Sequence, residues 1–341
     1  MTNNEQTLLD AARHGDEGAF GELIGSQRAA LQAHCYRMLG SVHDAEDALQ
    51  ETLLSAWRAL PRFEARSSLK SWLYTIATNA CLKTIERRPR RVLPIDYGPA
   101  ADPHDPLAQP LLESVWLEPF PDIGIEAEDR LASPEARYEQ RESVELAFVA
   151  ALQHIPARQR AVLILRDVLG FSAREVAATL GMTPAAVDTA LQRAHKTVHE
   201  RLPARSQQAT LQALGDEQLR EIVDGFIDAW EGADVDRVVA LLAHDATIAM
   251  PPQPTWYRGR DAVASFLRAV PLAPGTRWRL LPVSANGQLA FGEYRWNETT
   301  KRFVGRGVMV LAIADAAIAD ITAFGSQELL AHFGLPEHLE P

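Results

Sequence analysis

The apolar and polar positions between residues 44 and 57 predict an amphipathic helix with an acidic stripe. In the string DAEDALQETLLSAW the carboxylates of Asp44, Asp47 and Glu51 recur at i, i+3 and i+7, while Ala48 and Trp57 point to other faces. Because residues three and four apart share one side of a helix, the three carboxylates form a single stripe.

The segment that follows, FEARSSLKSWLYTIATNACLKTIERRPRR, has the opposite charge. It holds seven cations against Glu64 and Glu86, a local charge of +5, with Phe63, Trp72 and Tyr74 interleaved. Since cations follow phosphates and flat rings stack on bases, this combination is typical of proteins that bind single-stranded nucleic acid. The alternative from composition alone is a helical hairpin with a solvated basic end and aromatic residues in its core.

Helical patterns also precede this stretch. Residues 5–40 predict two helices, with Asp16 as the N-cap of the second. Pro89 is expected to end the last helix of the region. The mainly apolar face of the first two helices consists of Phe20, Leu23, Ile24, Leu31 and Leu39. We therefore predict one helical domain over residues 1–91.

The composition changes over residues 92–137, which are rich in proline and acid. Between Ala101 and Arg130 eight anions face one cation, a local charge of −7. Such a segment cannot form a core of its own and predicts a linker. The string SVWLEPFPD adds a tryptophan and a phenylalanine that a passive spacer does not need, which favours a docking segment over an inert linker.

Helical periodicity returns over residues 138–205. Ser172 and Glu175 form a capping box that begins one short helix, and Gly181 can take the left-handed conformation that ends it. Thr183-Pro184 then begins the next helix. This order predicts a helix-turn-helix, with a plain helical hairpin as the alternative. The predicted DNA-reading face consists of Ala185, Asp188, Thr189, Gln192, Arg193 and Lys196.

Residues 206–341 predict helices followed by an antiparallel sheet, which is an α+β domain. For acid-base chemistry they offer Asp228, His244 and Glu293, but no motif arranges these groups, and we predict no enzymatic activity. A second set of side chains predicts either a pocket lining or ordinary core: Trp230, Met250, Trp256, Tyr257, Trp278 and Trp296.

Composition limits the class of protein. The chain has 341 residues, 47% of them hydrophobic, and a formal net charge of −11, so it does not coat nucleic acid by itself. It lacks an apolar run long enough to span a membrane and a cationic, apolar signal at its start, so we expect a cytoplasmic protein without a membrane partner. Cys35 and Cys81 have no C-x-x-C spacing and are expected to be small buried residues. We predict no metal site and no cofactor.

The strings DAEDALQETLLSAWRAL and SSLKSWLYTIATNACLKTIERR resemble region two of bacterial sigma factors of the extracytoplasmic-function (ECF) group. The resemblance implies that the acidic helix docks on the clamp of RNA polymerase, and that the loop and helix after it read and open the minus-ten promoter element. It assigns the polymerase contact to Asp44, Asp47, Gln50 and Glu51. It assigns the minus-ten DNA contact to Phe63, Arg66, Ser68, Lys70, Trp72, Asn79, Lys83, Arg87 and Arg88.

The string RDVLGFSAREVAATLGMTPAAVDTALQRAHKTV resembles region four of the same family, which reads the minus-thirty-five element, although His195 stands where the family usually has a cation. The strings DAWEGADVDRVVALLAHDATIAMPP, TWYRGRDAV and ITAFGSQELLAHFGLP resemble the SnoaL-like family, a cone-shaped sheet wrapped by helices. In sigma factors with such a tail, the tail is expected to contact the sigma domains and regulate them.

The expected architecture is therefore multidomain. Two all-α sigma domains, region two over 1–91 and region four over 138–205, are joined by the linker over 92–137. A C-terminal α+β SnoaL-like cone-shaped barrel follows over 206–341.

The expected function is that of a sigma factor, with core RNA polymerase (through its beta-prime clamp) and promoter DNA as partners. A small-molecule ligand of the C-terminal domain is left open. Two rival functions remain from sequence. One is a free-standing helix-turn-helix regulator that senses a small molecule. The other is a cyclase-, isomerase- or hydrolase-like enzyme in the C-terminal pocket.

Overall fold

The computed structural model describes residues 3–65, 67–112, 115–122 and 142–341. Within these ranges the chain forms two compact units. The first takes its described residues from Met1–Arg90 and Gly124–Leu202, and the second takes them from Arg91–Ile123 and Pro203–Pro341. None of the helices in these ranges has the length and apolar character needed to cross a membrane.

The N-terminal part of the first unit is helical. Its described helices are α1 (Asn3–Arg13), α2 (Glu17–Gly25), α3 (Arg28–Leu39), α4 (Val42–Ala59) and α5 (Leu69–Ile85), with a 3₁₀ turn at Leu60–Arg62 after α4. The Asp16 carboxylate accepts the Ala19 N–H and so caps α2, as predicted. The prediction of two helices over residues 5–40 was wrong, because the chain breaks at Ser26 and Gln27 and forms α2 and α3 in place of one helix. Helix α5 ends before Pro89, in keeping with the steric conflict between a proline and a helical residue before it.

Two sets of buried side chains hold these helices together. The outer cluster, from α1, α2 and the turn after α4, consists of Leu9, Ala12, Ala19, Leu23, Leu60 and Phe63. Between α3 and α5, the His34 ring meets the Thr78 hydroxyl at 2.9 Å, and burial lowers the pKa of His34 to about 3. The free thiols of Cys35 and Cys81 are also buried there, as predicted. They lie in contact, and burial raises the pKa of the Cys81 thiol.

The second part of the first unit contains helices α6 (Leu146–Gln153), α7 (Ala157–Leu163), α8 (Ala173–Leu180) and α9 (Pro184–His199), with a π-helical turn at Ile164–Val168. The capping box of Ser172 and Glu175 is present at the start of α8. Gly181 ends α8 with φ +62°, and the Thr183 hydroxyl caps α9. Helices α8 and α9 therefore form the predicted helix-turn-helix.

The second unit combines helices and one sheet. Its helices are α10 (Gln207–Glu231, kinked at Gly215), α11 (Val235–Ala240), α12 (Arg260–Ala269) and α13 (Leu329–His332). Its strands are β1 (Leu242–Ala249), β2 (Trp256–Arg258), β3 (Trp278–Ala285), β4 (Gln288–Asn297), β5 (Arg302–Ala314), β6 (Ala317–Phe324) and β7 (His338–Leu339). The strand order is β2-β1-β6-β5-β4-β3, and β7 pairs with β5.

The expected α+β domain with a SnoaL-like sheet is present, but the sheet is open and does not close into a barrel. Strands β2 and β3 lie at its two edges. One face of the sheet packs on α10, α11 and α12 through a core that includes Phe226, Trp230, Phe266, Phe291 and Met309. Because these helices bury the apolar face, the edges need not pair to complete the core.

The described part of the predicted linker belongs to the second unit. Its backbone passes through a single helical turn at Pro94–Tyr97 and forms a parallel bridge between Val92 and Trp116. Trp116, Leu117 and Phe120 are each at most 2% exposed. This segment is therefore packed into a core, as the aromatic residues of SVWLEPFPD indicated.

Candidate nucleic-acid interface

The acidic stripe of α4 is divided by burial. Asp47, Gln50 and Glu51 are exposed on one side of the helix. The Asp44 side chain is only 4% exposed, and its carboxylate forms an ion pair with the guanidinium of Arg88. Asp44 lies in the first turn of α4, whose N-cap Ser41 accepts the Asp44 N–H at 3.1 Å. The surface available to a partner is thus formed by the other three residues.

The exposed face of α5 lies opposite that stripe. Asn79 and Lys83 share one side of the helix at i and i+4, and Arg87 and Arg88 extend the same side beyond its end. Together the two helices enclose a groove of about 530 Å³. It is lined by Asp44, Asp47, Ala48, Glu51, Ser55, Ile76, Asn79, Ala80, Lys83, Thr84, Arg87 and Arg88. Predicted polymerase contacts and predicted DNA contacts therefore form facing walls of one groove.

The segment before α5 differs from the expectation in one respect. Phe63, predicted to contact DNA, is 7% exposed and packs against Trp72 with ring centroids 4.8 Å apart. The short 3₁₀ turn after α4 directs its ring into the outer cluster, so Phe63 supports Trp72 and does not offer a stacking surface. Ser68 is the N-cap of α5, accepting the Ser71 N–H at 3.0 Å. Arg66 lies outside the described residues.

The predicted DNA-reading face of α9 is accessible. All six of its residues are exposed: Ala185, Asp188, Thr189, Gln192, Arg193 and Lys196. Val187, Ala194 and Val198 are buried on the other side, so helical periodicity predicted the two faces correctly. The imidazole of His195 contacts the Asp167 carboxylate at the end of the π-helical turn. A helix face that carries Gln192, Arg193 and Lys196 fits the major groove.

Sequence reasoning missed that α5 and α8 are in direct contact. The hydroxyls of Thr75 and Thr179 are 3.0 Å apart. Lys70, a predicted DNA contact, has its ammonium 5.9 Å from the ring centroids of both Tyr74 and Phe171. No local pattern could signal this contact, since its partners lie about a hundred positions apart in the chain.

A buried arginine of α7, Arg160, contacts the end of α3. The Arg160 guanidinium donates to Met38 O, and also to Gln153 Oε1 at 2.7 Å. Gln153 in turn donates to Arg37 O at 3.5 Å. Because the last carbonyls of a helix have no partner within it, Arg160 and Gln153 satisfy the end of α3 from another part of the chain.

The predicted pocket residues of the second unit do not lie together. Trp230, Tyr257 and Trp278 are part of its core and Met250 packs against that core. Successive strand residues face opposite ways, so Trp256, next to Tyr257, points to the other side. There its indole donates to Gly98 O at 2.8 Å. Trp296 also lies away from the core, with the Arg277 guanidinium 4.4 Å from its ring centroid.

The three candidate acid-base groups are likewise separated. Asp228 and His244 are exposed, whereas Glu293 is 6% exposed on β4, opposite Leu280 and Gly307. Burial raises the pKa of Glu293 to about 7, and the charge of Arg306 opposes this only in part. Of these three groups, Glu293 is the one that is buried. Within the described ranges no cluster of three metal-ligating side chains occurs.

The linker is held by the turn between β3 and β4. Asn286 and Gly287 have φ +57° and +67°, the left-handed pair that a two-residue hairpin turn requires. The Asn286 side chain accepts the Phe120 N–H at 2.8 Å, and the Asn286 N–H donates back to Phe120 O at 2.9 Å. The Gly287 N–H donates to the Asp122 carboxylate at 2.9 Å. The linker thus docks through paired, directional hydrogen bonds.

Family models match three consecutive parts of the chain. They are Sigma-70 region 2 over residues 23–91, Sigma-70, region 4 over residues 145–198, and the SnoaL-like domain over residues 223–321. The matches follow the order expected from the resemblances.

The chain is similar over most of its length to two sigma factors of Mycobacterium tuberculosis. It is 42% identical over 331 residues to the ECF RNA polymerase sigma factor SigG of Mycobacterium tuberculosis, which covers 96% of this chain and 86% of that protein. It is 27% identical over 246 residues to SigJ of the same organism, covering 70% and 69% of the two chains. The crystal structure of M. tuberculosis SigJ is similar in fold, with a TM-score of 0.58 at 20% identity over 93% of this chain and 99% of that one.

Proposed function

The chain belongs to the ECF RNA polymerase sigma factors, which bind core polymerase and direct it to promoters, and from this premise we propose which of its surfaces perform each step. Helix α4 binds polymerase, the α5 wall of the groove contacts the minus-ten DNA, and α9 reads the minus-thirty-five element. The groove between α4 and α5 is the main support, because it places an exposed acidic wall next to an exposed basic wall.

The polymerase contact is assigned to the beta-prime clamp and to Asp47, Gln50 and Glu51. Their side chains are exposed, and the local carboxylates suit a basic partner surface. Because the polymerase works in the bacterial cytoplasm, the protein is placed there too.

Charge reversal tests this assignment. Asp47→Lys with Glu51→Lys should weaken binding to core polymerase at least tenfold, since two attractive charges become repulsive. The matched control is Glu221→Lys with Asp224→Lys, which reverses two exposed carboxylates three residues apart on α10. Equal affinity of the two double variants for core polymerase would contradict the α4 assignment.

The DNA contacts divide between two helices. On α5 and beyond its end, Lys83, Arg87 and Arg88 are exposed cations, and Asn79 adds an amide beside them. Cations there neutralise phosphates next to the melted minus-ten strand. On α9, Gln192 and Arg193 present side chains that can bind base edges in the major groove.

Promoter binding also requires the contact between α5 and α8 to open. The positions after which the two promoter elements are named, −35 and −10, are about 25 base pairs apart. At 3.4 Å per base pair this is roughly 85 Å of DNA. In this structure α5, which carries the minus-ten surface, contacts α8, the helix before α9, at Thr75 and Thr179. The structure therefore corresponds to a closed form of the sigma regions.

The C-terminal unit regulates the sigma regions through the linker. The linker joins region two to region four, and its described part is bound to the Asn286-Gly287 turn. Binding of the linker by this unit changes the length of chain that is free between the two regions. The unit regulates by changing the length of this free chain, and we assign it no enzymatic reaction.

The decisive test is transcription with purified core polymerase from a library of genomic promoters. The full chain should support promoter-specific initiation. No initiation from any promoter would contradict the assigned surfaces.

A further inference from the structure

The buried carboxylate of Asp44 has a different role from the exposed carboxylates on the same helix. Asp47 and Glu51 offer their side chains to solvent, whereas Asp44 is 4% exposed. Its carboxylate pairs with Arg88 inside the groove, at whose wall Asp47 and Glu51 remain exposed. A partner that docks on the acidic stripe can therefore reach Asp47 and Glu51 without touching Asp44.

Arg88 is the group that this ion pair controls. It follows the end of α5 by three residues, and its side chain is 44% exposed beside Lys83 and Arg87 in the groove. A long side chain beyond a helix end otherwise samples many rotamers, and ordering it on binding costs affinity. A guanidinium has five N–H donors, so its contact with Asp44 leaves other donors for a phosphate.

We infer that Asp44 is a positioning residue for promoter binding: it holds the guanidinium of Arg88 in the orientation that contacts the DNA backbone, and it does not contact polymerase. This inference rests on the proposed function, which places Arg88 at the minus-ten DNA. It gives the groove a link between its two walls, since a residue of the polymerase-binding helix orders a residue of the DNA-binding wall.

A simple electrostatic argument predicts the opposite sign, which makes the inference testable. If Asp44 were only a negative charge near DNA, Asp44→Asn would strengthen DNA binding by removing repulsion from the phosphates. If Asp44 orders Arg88, the same isosteric change should weaken binding of the holoenzyme to promoter DNA by about fivefold. Affinity for core polymerase should stay unchanged.

The experiment measures promoter DNA affinity of the holoenzyme and core polymerase affinity of the full chain for Asp44→Asn, Arg88→Met and the double variant. Arg88→Met should weaken DNA binding and lower the slope of log affinity against log salt by about 0.9, the value for one phosphate contact. In the Arg88→Met background, Asp44→Asn should have no further effect. Asp44→Glu, which keeps the charge, should restore part of the affinity.

A structural role in starting α4 would give another pattern. The matched control Asp47→Asn removes an exposed carboxylate one turn further on and should weaken polymerase binding only. An equal loss of DNA affinity from Asp44→Asn with and without Arg88 would overturn the inference, as would a gain of DNA affinity or a loss of polymerase affinity. If Arg88→Met itself leaves DNA binding unchanged, the proposed DNA contact fails and the role of Asp44 fails with it. If only Asp44→Asn lacks an effect, the inference alone is refuted.

Discussion

The closed form can be locked by a disulfide across the contact between α5 and α8. Thr75 and Thr179 present their hydroxyl oxygens to each other at 3.0 Å, and both side chains are partly buried. Sulfur atoms in these places need only approach to about 2 Å to form a bond. The double variant Thr75→Cys with Thr179→Cys should therefore cross-link region two to region four under mild oxidation.

The expected loss of activity follows from distances. A compact domain with the number of residues of either region has a diameter of about 30 Å. Two such regions in contact therefore extend over roughly 60 Å. The two promoter elements are separated by roughly 85 Å of DNA. A locked protein can reach one element but not both, and promoter-specific transcription should fall more than tenfold.

The assay compares transcription from one promoter by the oxidised and the reduced double variant on the same core polymerase. Reduction should restore activity, which separates the effect of the bond from that of the substitutions. The two single-cysteine variants are matched controls. The wild-type protein treated with the same oxidant controls for Cys35 and Cys81, which are buried together within region two and cannot join the two regions.

One result would refute the reasoning about opening. If a gel without reductant shows complete cross-linking and the oxidised protein still initiates as well as the reduced one, regions two and four remain in contact on the promoter. The closed form would then be the active form, and the distance argument would be wrong.

Three further predictions address other parts of the molecule. Asn286→Gly keeps the left-handed backbone of the turn but removes the acceptor for the Phe120 N–H, at a cost of about 1–3 kcal/mol, and should speed proteolysis of the linker; an unchanged cleavage rate would show that this bond does not hold the linker. Burial raises the pKa of Glu293 from 4.5 to about 7, so the folded state holds this proton more tightly than the unfolded state does. The resulting stabilisation is complete below the pKa of the unfolded state and is lost as pH rises through 7. The free energy of unfolding should fall by about 3 kcal/mol over this range. Glu293→Gln should flatten that dependence in denaturant unfolding of the second unit at about pH 5 and about pH 8, and a slope equal to wild type would contradict it. Arg193→Ala should reduce discrimination between bases at one promoter position by about 1–3 kcal/mol, while Lys196→Ala should weaken all sequences alike; competition binding of the holoenzyme distinguishes the two.

Local signals in the sequence predicted much of the first unit. The capping box at Ser172, the left-handed Gly181 and the cap at Thr183 each depend on residues within four positions, so the helix-turn-helix and its exposed face could be derived from the string alone. The same holds for the cap at Asp16.

Features that depend on distant partners could not be predicted. Asp44 and Asp47 lie on the same predicted stripe, and the burial of Asp44, whose carboxylate pairs with Arg88 44 positions away, has no local signal. Trp256 and Tyr257 are adjacent aromatics, and the register of β2 decides which one enters the core. The aromatic residues of the linker indicated docking, but the sequence did not show where. The binding site at Asn286 depends on the turn that forms when β3 pairs with β4.

Linker docking changes how far regions two and four can separate. The bridge between Val92 and Trp116 brings together residues that are 24 positions apart, at the spacing of neighbouring strands, about 4.8 Å. The same stretch extended would span roughly 80 Å. Docking therefore removes from the tether a length comparable to the separation of the two promoter elements. A unit that binds this loop shortens the chain that is free between regions two and four. For that reason Asn286→Gly, which removes the side-chain contact to Phe120 next to this loop, should raise transcription by the full chain, whereas the locked disulfide variant should stay inactive with or without that contact.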